Sequence, residues 1–528
     1  MTVYFFAMAI AVSVTGCSGS NDAGADGITA GDVSGENDAG MGASPASDAA
    51  PSDLNDLDGG SSPPSISWNP AEGLGACEAT DSPAPDPVQR TANLTLARAA
   101  GSPRIVHLLD IEGDPNTGLI YSVGAGGLFV LSSDGSSLEV VTNTNLAGIR
   151  GSFDKVEVLN EGIIALSSRN RGLTFVDGST PGELRQLSTF GIDDAAGMAW
   201  NNPYLYVASH VGKVSVLDLS VPESPTLVGE VGDLGNPWEI VAIGQRAYVA
   251  DNSLGVVVLD LSDPVNPIAL RTVETSGGAQ DLWLDGDTLF VAAGSAGIES
   301  FSLVDPDDPT ALSLIDVGSS IVSLTVTEDT LWASDHESLI AIDVSDPATP
   351  LPLGGQRTDQ WAMHVYASGG YAYVADWGQV SAFSIDLDRR GPDLDVSRRE
   401  LFIVEGDEEI TFSITNRGSE PLQLLGASVD DPRFQVEYEH AELDPGQSGS
   451  MRLLFLDDGA MVNASLCLAT NDGDEGVFQI PILTNPSGTS AGLGEQAPDF
   501  VLRDIDGQTH QLSEQLGHPV VLVYFATW

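Results

Sequence analysis

The stretch Arg246–Val273, "RAYVADNSLGVVVLDLSDPVNPIALRTV", contains three short strands and two turns. Two short apolar runs, "AYVA" and "VVVL", are separated by a turn, "DNSLG". Asp263-Pro264 then makes a second turn, the Asp side chain capping the backbone and Pro fixing φ. The pattern recurs along the chain. A large residue in the first of these strands falls at Tyr121, Ile164, Tyr206, Tyr248, Phe290, Trp332 and Tyr373, in steps of 43, 42, 42, 42, 42 and 41. A further strand, such as "QDLWLDG" (280–286), precedes each next marker. Four strands per unit make a propeller blade, and seven units at this period read as a radial or solenoid repeat. The last unit ends near Asp388 without its outer strand, while "ANLTLAR" (92–98) stands spare before the first. Pairing the two, through residues 93–98, would close a ring, which a solenoid would not need. The expectation is a seven-bladed β-propeller over residues 91–390.

Around it the chain is acidic, with 76 Asp and Glu against 20 Lys and Arg, a formal charge of -56. Such a balance repels phosphate backbones, so no nucleic-acid partner is expected. Only two lysines occur, Lys155 and Lys213. Residues 3–14 form an apolar run too short to span a bilayer and suited to an export signal. Residues 18–90 carry no basic residue before Arg90 and nothing able to build a core, so a disordered acidic tether is expected. After Gly391 short alternating strands with Gly/Asp/Asn turns run to residue 486 and read as an immunoglobulin-like sandwich. Cys77 and Cys467 flank a whole domain and read as unpaired thiols, Cys467 as a small buried apolar residue.

Four resemblances add to this. The segment "YVAD…G…VLDLSDP…P" at Tyr248–Pro267 resembles LVIVD-repeat propellers, which fixes a fold and is nearly silent on activity. Val14-Thr15-Gly16-Cys17 resembles the lipobox of bacterial lipoproteins, although no Lys or Arg precedes the apolar run. That resemblance implies cleavage before Cys17, lipidation of Cys17, membrane attachment and a place in the cell envelope, at the outer membrane or cell surface. "ITNRGSEPLQL" and "LATNDGDEGVFQIPI" resemble Ig-like domains of the choice-of-anchor and abnormal-spindle type. Residues 492–528, with Ala497-Pro498-Asp499-Phe500, Asp506-Gly507 and "VVLVYFATW", resemble the start of redoxins of the thioredoxin-like and AhpC/TSA groups. This last resemblance implies the N-terminal fragment of an α/β fold whose catalytic Cys-x-x-Cys would follow Trp528. No catalytic residue then lies within the chain. A selenocysteine codon read as a stop would account for an ending there, as would a nonsense mutation or an incomplete sequence.

In a ring, the turns after the marker strands open on one face. Three residues past the markers lie Asp251, Asp335 and Asp376; four past lie His210, Asn252, His336 and Trp377. Carboxylates and imidazoles gathered there could bind a polar ligand or an unknown protein, while turn composition alone also favours Asp and Asn. No metal-ligand spacing of known strength occurs, and no cofactor is expected. "DPDDP" (305–309) and "NDGDEG" (471–476) lack the twelve-residue calcium loop and read as turns. Two functions are therefore expected: a lipid-anchored thiol-disulfide oxidoreductase and antioxidant carrying propeller and Ig-like modules, or a non-catalytic binding and scaffold protein using the propeller's loop face.

Overall fold

Each repeat folds as a four-stranded antiparallel sheet, its short strands joined by tight turns and its two central strands buried on both faces. The computed structural model describes residues 66–68, 87–96, 106–144, 152–159, 162–387, 390–404, 409–455, 463–473, 476–485, 501–503 and 509–511. Blades 1 to 5 start with the inner strands Leu108–Gly113, Lys155–Val158, Ala195–Asn201, Pro237–Ile243 and Asp281–Asp285. Blade 6 starts with Ser323–Thr327, and its outer strand is the first part of the long strand Leu351–Ser368. The second part of that strand is the inner strand of blade 7, followed by Tyr371–Asp376 and Gln379–Ile385. Val88–Thr95 pairs antiparallel with Gln379–Ile385 and supplies the missing outer strand, beginning five residues earlier than the expected 93. Arg90 and Asn93 on this strand both bond Asp359, and Thr91 Oγ1 donates to Gly135 O at 2.6 Å, reaching blade 1. The inner strands neighbour one another in chain order, and the last returns to the first. The ring closes with seven blades.

The marker residues lie in the second strand of each blade and are buried between sheets. They also lock one blade to the next. Tyr206 Oη donates to Pro264 O (3.1 Å) and Tyr248 Oη to Pro306 O (3.0 Å), each proline sitting in the following blade's Asp-Pro or equivalent turn. Where the marker has no hydroxyl, a serine takes over. Ser188, on the outer strand of the blade that holds Ile164, serves Pro222 O at 2.6 Å, and Ser300, paired with Phe290, serves Pro347 O at 2.7 Å. At Tyr206 and Tyr248, the repeat's aromatic and its proline turn are thus partners across blades.

Residues 394–485, joined by Ile66–Trp68, form two facing five-stranded sheets around a shared apolar core that includes Phe412, Phe434, Met451 and Leu466. This is the expected sandwich. One of its edge strands comes from the region read as disordered: Ile66–Trp68 pairs antiparallel with Phe434–Tyr438. The sandwich grips blade 6 through Arg417, whose side chain is 4% exposed. Its guanidinium donates to Asp335 Oδ2 (2.8 Å), Ser338 Oγ (2.6 Å), Ser319 Oγ (2.8 Å) and Val317 O (3.2 Å), and lies 3.1 Å from Asp395. A buried cation this fully bonded fixes register between two domains.

Three expectations are corrected. The thioredoxin-like α/β fragment is not supported: every described element is a strand, and the described part of residues 492–528 is one short antiparallel pair, Val501–Arg503 with Thr509–Gln511. A redoxin packs helices on its sheet, so the oxidoreductase, antioxidant and selenocysteine readings fall with it. Cys467 is disulfide-bonded rather than a free thiol. The tether, as above, lends a strand to the sandwich. The signal and Cys17 lie outside the described residues, and among those described no helix is long and apolar enough to cross a membrane.

Tyr248→Phe should cost about 1 kcal/mol, the net worth of one hydrogen bond. Thermal or urea unfolding checks this, and an unchanged midpoint would show that the inter-blade bond contributes nothing.

Candidate functional site

The inner strand of a blade has a neighbour on one side only, so alternate N–H groups face the axis without a sheet partner. The side chains there supply the acceptors. Asp110 Oδ2 accepts from Val156 N (2.8 Å), Glu112 Oε2 from Val158 N (2.7 Å) and Glu157 Oε1 from Trp200 N (3.1 Å). Asp281 Oδ2 accepts from Leu324 N (2.9 Å) and Ser323 Oγ from Val365 N (3.3 Å). In each case a blade serves its successor. Four inner strands, those of blades 1, 3, 4 and 7, also carry a β-bulge at this point, a device that re-aims a side chain.

The result is one channel residue per blade: Asp110, Lys155, Gly197, Glu239, Asp281, Ser323 and His364, spaced by 45, 42, 42, 42, 42 and 41. Gly197 is required there, because a Cβ would collide with the Glu239 carboxylate and lie 2.6 Å from Glu239 Cα. Lys155 Nζ is 2.8 Å from Glu239 Oε2 and 3.5 Å from Asp110 Oδ1. His364 Nδ1 lies 3.1 Å from Asp110 Oδ1, and Nε2 lies 3.6 Å from Asp281 Oδ2. Despite those distances the geometry forms no hydrogen bond, and both ring nitrogens and Asp110 Oδ1 are left buried without a hydrogen-bond partner.

Burial dominates the electrostatics. It pushes Glu157 up to about 8 and Glu239 to about 7, and raises Glu112 well above the ordinary carboxylate range. Burial would lower Lys155, but the Asp110 and Glu239 carboxylates outweigh it and hold the amine protonated. Burial and then the Lys155 charge bring His364 down to about 3, so its imidazole is neutral.

Around the mouth runs a collar of rings. His107 stacks on Trp377 (centroids 4.2 Å apart, 21° between planes), Trp377 meets Trp361 at 5.6 Å, and Trp361 meets His336 at 5.8 Å. These four residues link blades 6, 7 and 1. In blades 2 to 4, His210 meets Trp238 edge-on at 5.3 Å, and the Arg169 guanidinium lies 5.9 Å from the Trp238 ring. Trp238 is the immediate neighbour of Glu239, which ties collar to channel.

The seven candidates read from the turns divide in two. His210, His336 and Trp377 join the collar. Asp251 is spent on its own turn, accepting from the backbone N–H of Gly235, Asn236, Ser253 and Leu254 at 2.7–3.0 Å. Asn252 donates its N–H to Asn236 O at 2.9 Å. Asp376 accepts from Gln379 Nε2 (2.6 Å) and Gln360 N (3.0 Å), and burial raises its pKa. Asp335 binds Arg417; burial would raise it, but the Arg417 charge and the Ser319 and Ser338 hydroxyls hold it below the usual range. The structure does not bring the seven into one ligand set. Of the channel residues, only Lys155, Glu239 and Asp281 leave a trace in the sequence, as charged residues standing at multiples of 42 from one another.

Asp395 of the sandwich is also raised, by burial first, to about 6. The sign follows from proton counting. Between the unfolded carboxylate range and these folded values, the folded chain holds more protons, so stability falls as pH rises. The melting temperature should therefore drop between pH 5.5 and 8.5, and Glu157→Gln should flatten part of that drop while keeping the acceptor for Trp200 N. A melting temperature that rises over this interval contradicts the assignment.

Comparison with known proteins fits the repeat. The LVIVD repeat matches residues 194–233, 234–275 and 361–380. The match touches neither residues 1–17 nor 492–528, so it supports neither the lipoprotein nor the redoxin resemblance. No curated protein matches the sequence. Among solved structures, the computationally designed Ika8 protein is 10% identical, covering 56% of this chain and 100% of its own, at a TM-score of 0.42. The WD40 β-propeller domain of Doa1 is 12% identical over 57% of this chain and 97% of its own, at 0.44. A chain of the mitotic checkpoint complex is 14% identical over 59% and 97%, also at 0.44. Likeness at that level carries no information about function.

Proposed function

We propose that this chain is a non-catalytic binding protein, and that its ligand site is the aromatic and imidazole collar of the propeller. The observation that carries this is the continuous run His107–Trp377–Trp361–His336, four half-buried rings from three blades held in contact at the channel mouth. Packing of the core does not call for these rings, since the apolar clusters between blades are built from other residues. Rings presented this way suit a planar group on a partner, an aromatic ring or a guanidinium, which gains stacking and cation–π contact. The repeat match and the closed propeller support a binding face, and the sandwich, latched at blade 6 by Arg417, would hold that face in a fixed orientation.

The test is binding of the whole chain to immobilised peptides that differ only in a central residue. Peptides with Trp, Tyr or Arg at that position should be retained, with quenching of tryptophan fluorescence, and those with Ala or Glu should not. The double variant Trp361→Ala, Trp377→Ala should lose about tenfold or more in affinity, two stacking contacts being at stake. Equal retention by wild type and double variant would place the site elsewhere.

A further inference from the structure

We propose that the channel mouth binds one divalent transition-metal ion through Glu239, Asp281 and His364. One donor atom from each lies within 4.8 Å of the others. Ions of this kind sit about 2.0–2.2 Å from nitrogen and oxygen ligands, so the three donors need move inward only by roughly an ångström. They stand on the inner strands of blades 4, 5 and 7, whose backbones are fixed by ring closure.

What marks the site is what the fold leaves over. Asp110 Oδ2, Glu112, Glu157, Asp281 and Ser323 all bond backbone amides, which leaves each Asp281 oxygen one lone pair for an ion. His364 has no such role. Both its ring nitrogens are shut off from solvent without a hydrogen-bond partner, although a neutral imidazole always carries one N–H donor and one acceptor. A second observation is independent of it. The Asp110 side chain is 3% exposed, and its Oδ1, ion-paired with Lys155 at 3.5 Å, lies 3.1 Å from His364 Nδ1. That is where a carboxylate stands behind a metal-bound histidine, taking the Nδ1 proton while Nε2 faces the ion. Charge agrees: three carboxylates, Asp110, Glu239 and Asp281, face one cation, Lys155, and a dication among them favours their ionised forms.

The donor set chooses the class of ion. One imidazole with two carboxylates suits Zn2+ or Mn2+, whereas Ca2+ seeks six or more oxygens and Mg2+ is usually held by carboxylates and water. Lys155 competes for Glu239, so its removal should strengthen binding.

The experiment titrates the whole chain, stripped with EDTA, with ZnCl2 and MnCl2 by calorimetry; it involves no collar ligand and is therefore independent of the function proposed above. One equivalent should bind and raise the melting temperature. His364→Ala, which leaves the side-chain bonds to the inner-strand amides in place, is expected to weaken binding at least about tenfold, a ligand counting for no less than the groups behind it. Glu239→Gln should weaken it as well, Lys155→Met should tighten it about tenfold by removing a like charge, and His440→Ala, in the sandwich, should have no effect. Absence of binding, stoichiometric binding that survives both His364→Ala and Glu239→Gln, or Ca2+ binding as tightly as Zn2+ would overturn the proposal.

Discussion

Seven inner strands arranged about one axis pose a single problem: each has a free edge, and its amides point where no eighth strand can go. Water could meet them only in a channel wide enough to weaken contact between blades. The chain meets them instead with side chains of the preceding blade, as Asp110 serves Val156 and Asp281 serves Leu324. Polar residues are thereby forced onto the axis. Carboxylates are the acceptors best able to hold an amide there, and an acidic chain supplies them readily.

That solution creates a second problem. Carboxylates buried together resist ionising, first because burial disfavours their charge and then because they repel one another, and Glu157 and Glu239 are raised accordingly. One of only two lysines in the chain, Lys155, is placed among them. A single cation leaves negative charge over, together with a histidine that the fold does not use. The collar above is separate in origin: it grows from the turns, where no edge has to be satisfied, and its rings meet across blades without any role in closing the ring. Structure thus accounts for most of the channel and little of the collar. The remainder is where binding is to be sought.

Much of the propeller was legible because its period is nearly invariant. Seven markers gave seven blades, and a strand left over at one end found a place at the other. Its partner across blades, the proline turn, was visible as a motif but not as a partner, since a contact 58 residues away leaves no local trace. Reading the turns by composition found His210, His336 and Trp377 yet also gathered Asp251, Asp335 and Asp376, because an aspartate capping a turn and one awaiting a ligand look alike in sequence. Asp335 shows the difficulty well: its partner, Arg417, belongs to another domain. Gly197 was invisible for the opposite reason, being the channel residue that has no side chain. The short motif match of residues 492–528 suggested an α/β fold, but the strands described there carry no helix with them, and three or four familiar dipeptides do not specify a fold.

Hydrogen exchange reads the constraint on the inner strands directly. The amides of Val156, Val158, Trp200, Leu324 and Val365 lie on strand edges and would exchange quickly if nothing but water met them. Bonded to side chains of the preceding blade, they should exchange as slowly as the amides of the central strands, and Asp110→Ala should release Val156 while leaving Leu324 protected. Fast exchange at all five sites in the wild-type chain would contradict this picture of how the ring is closed.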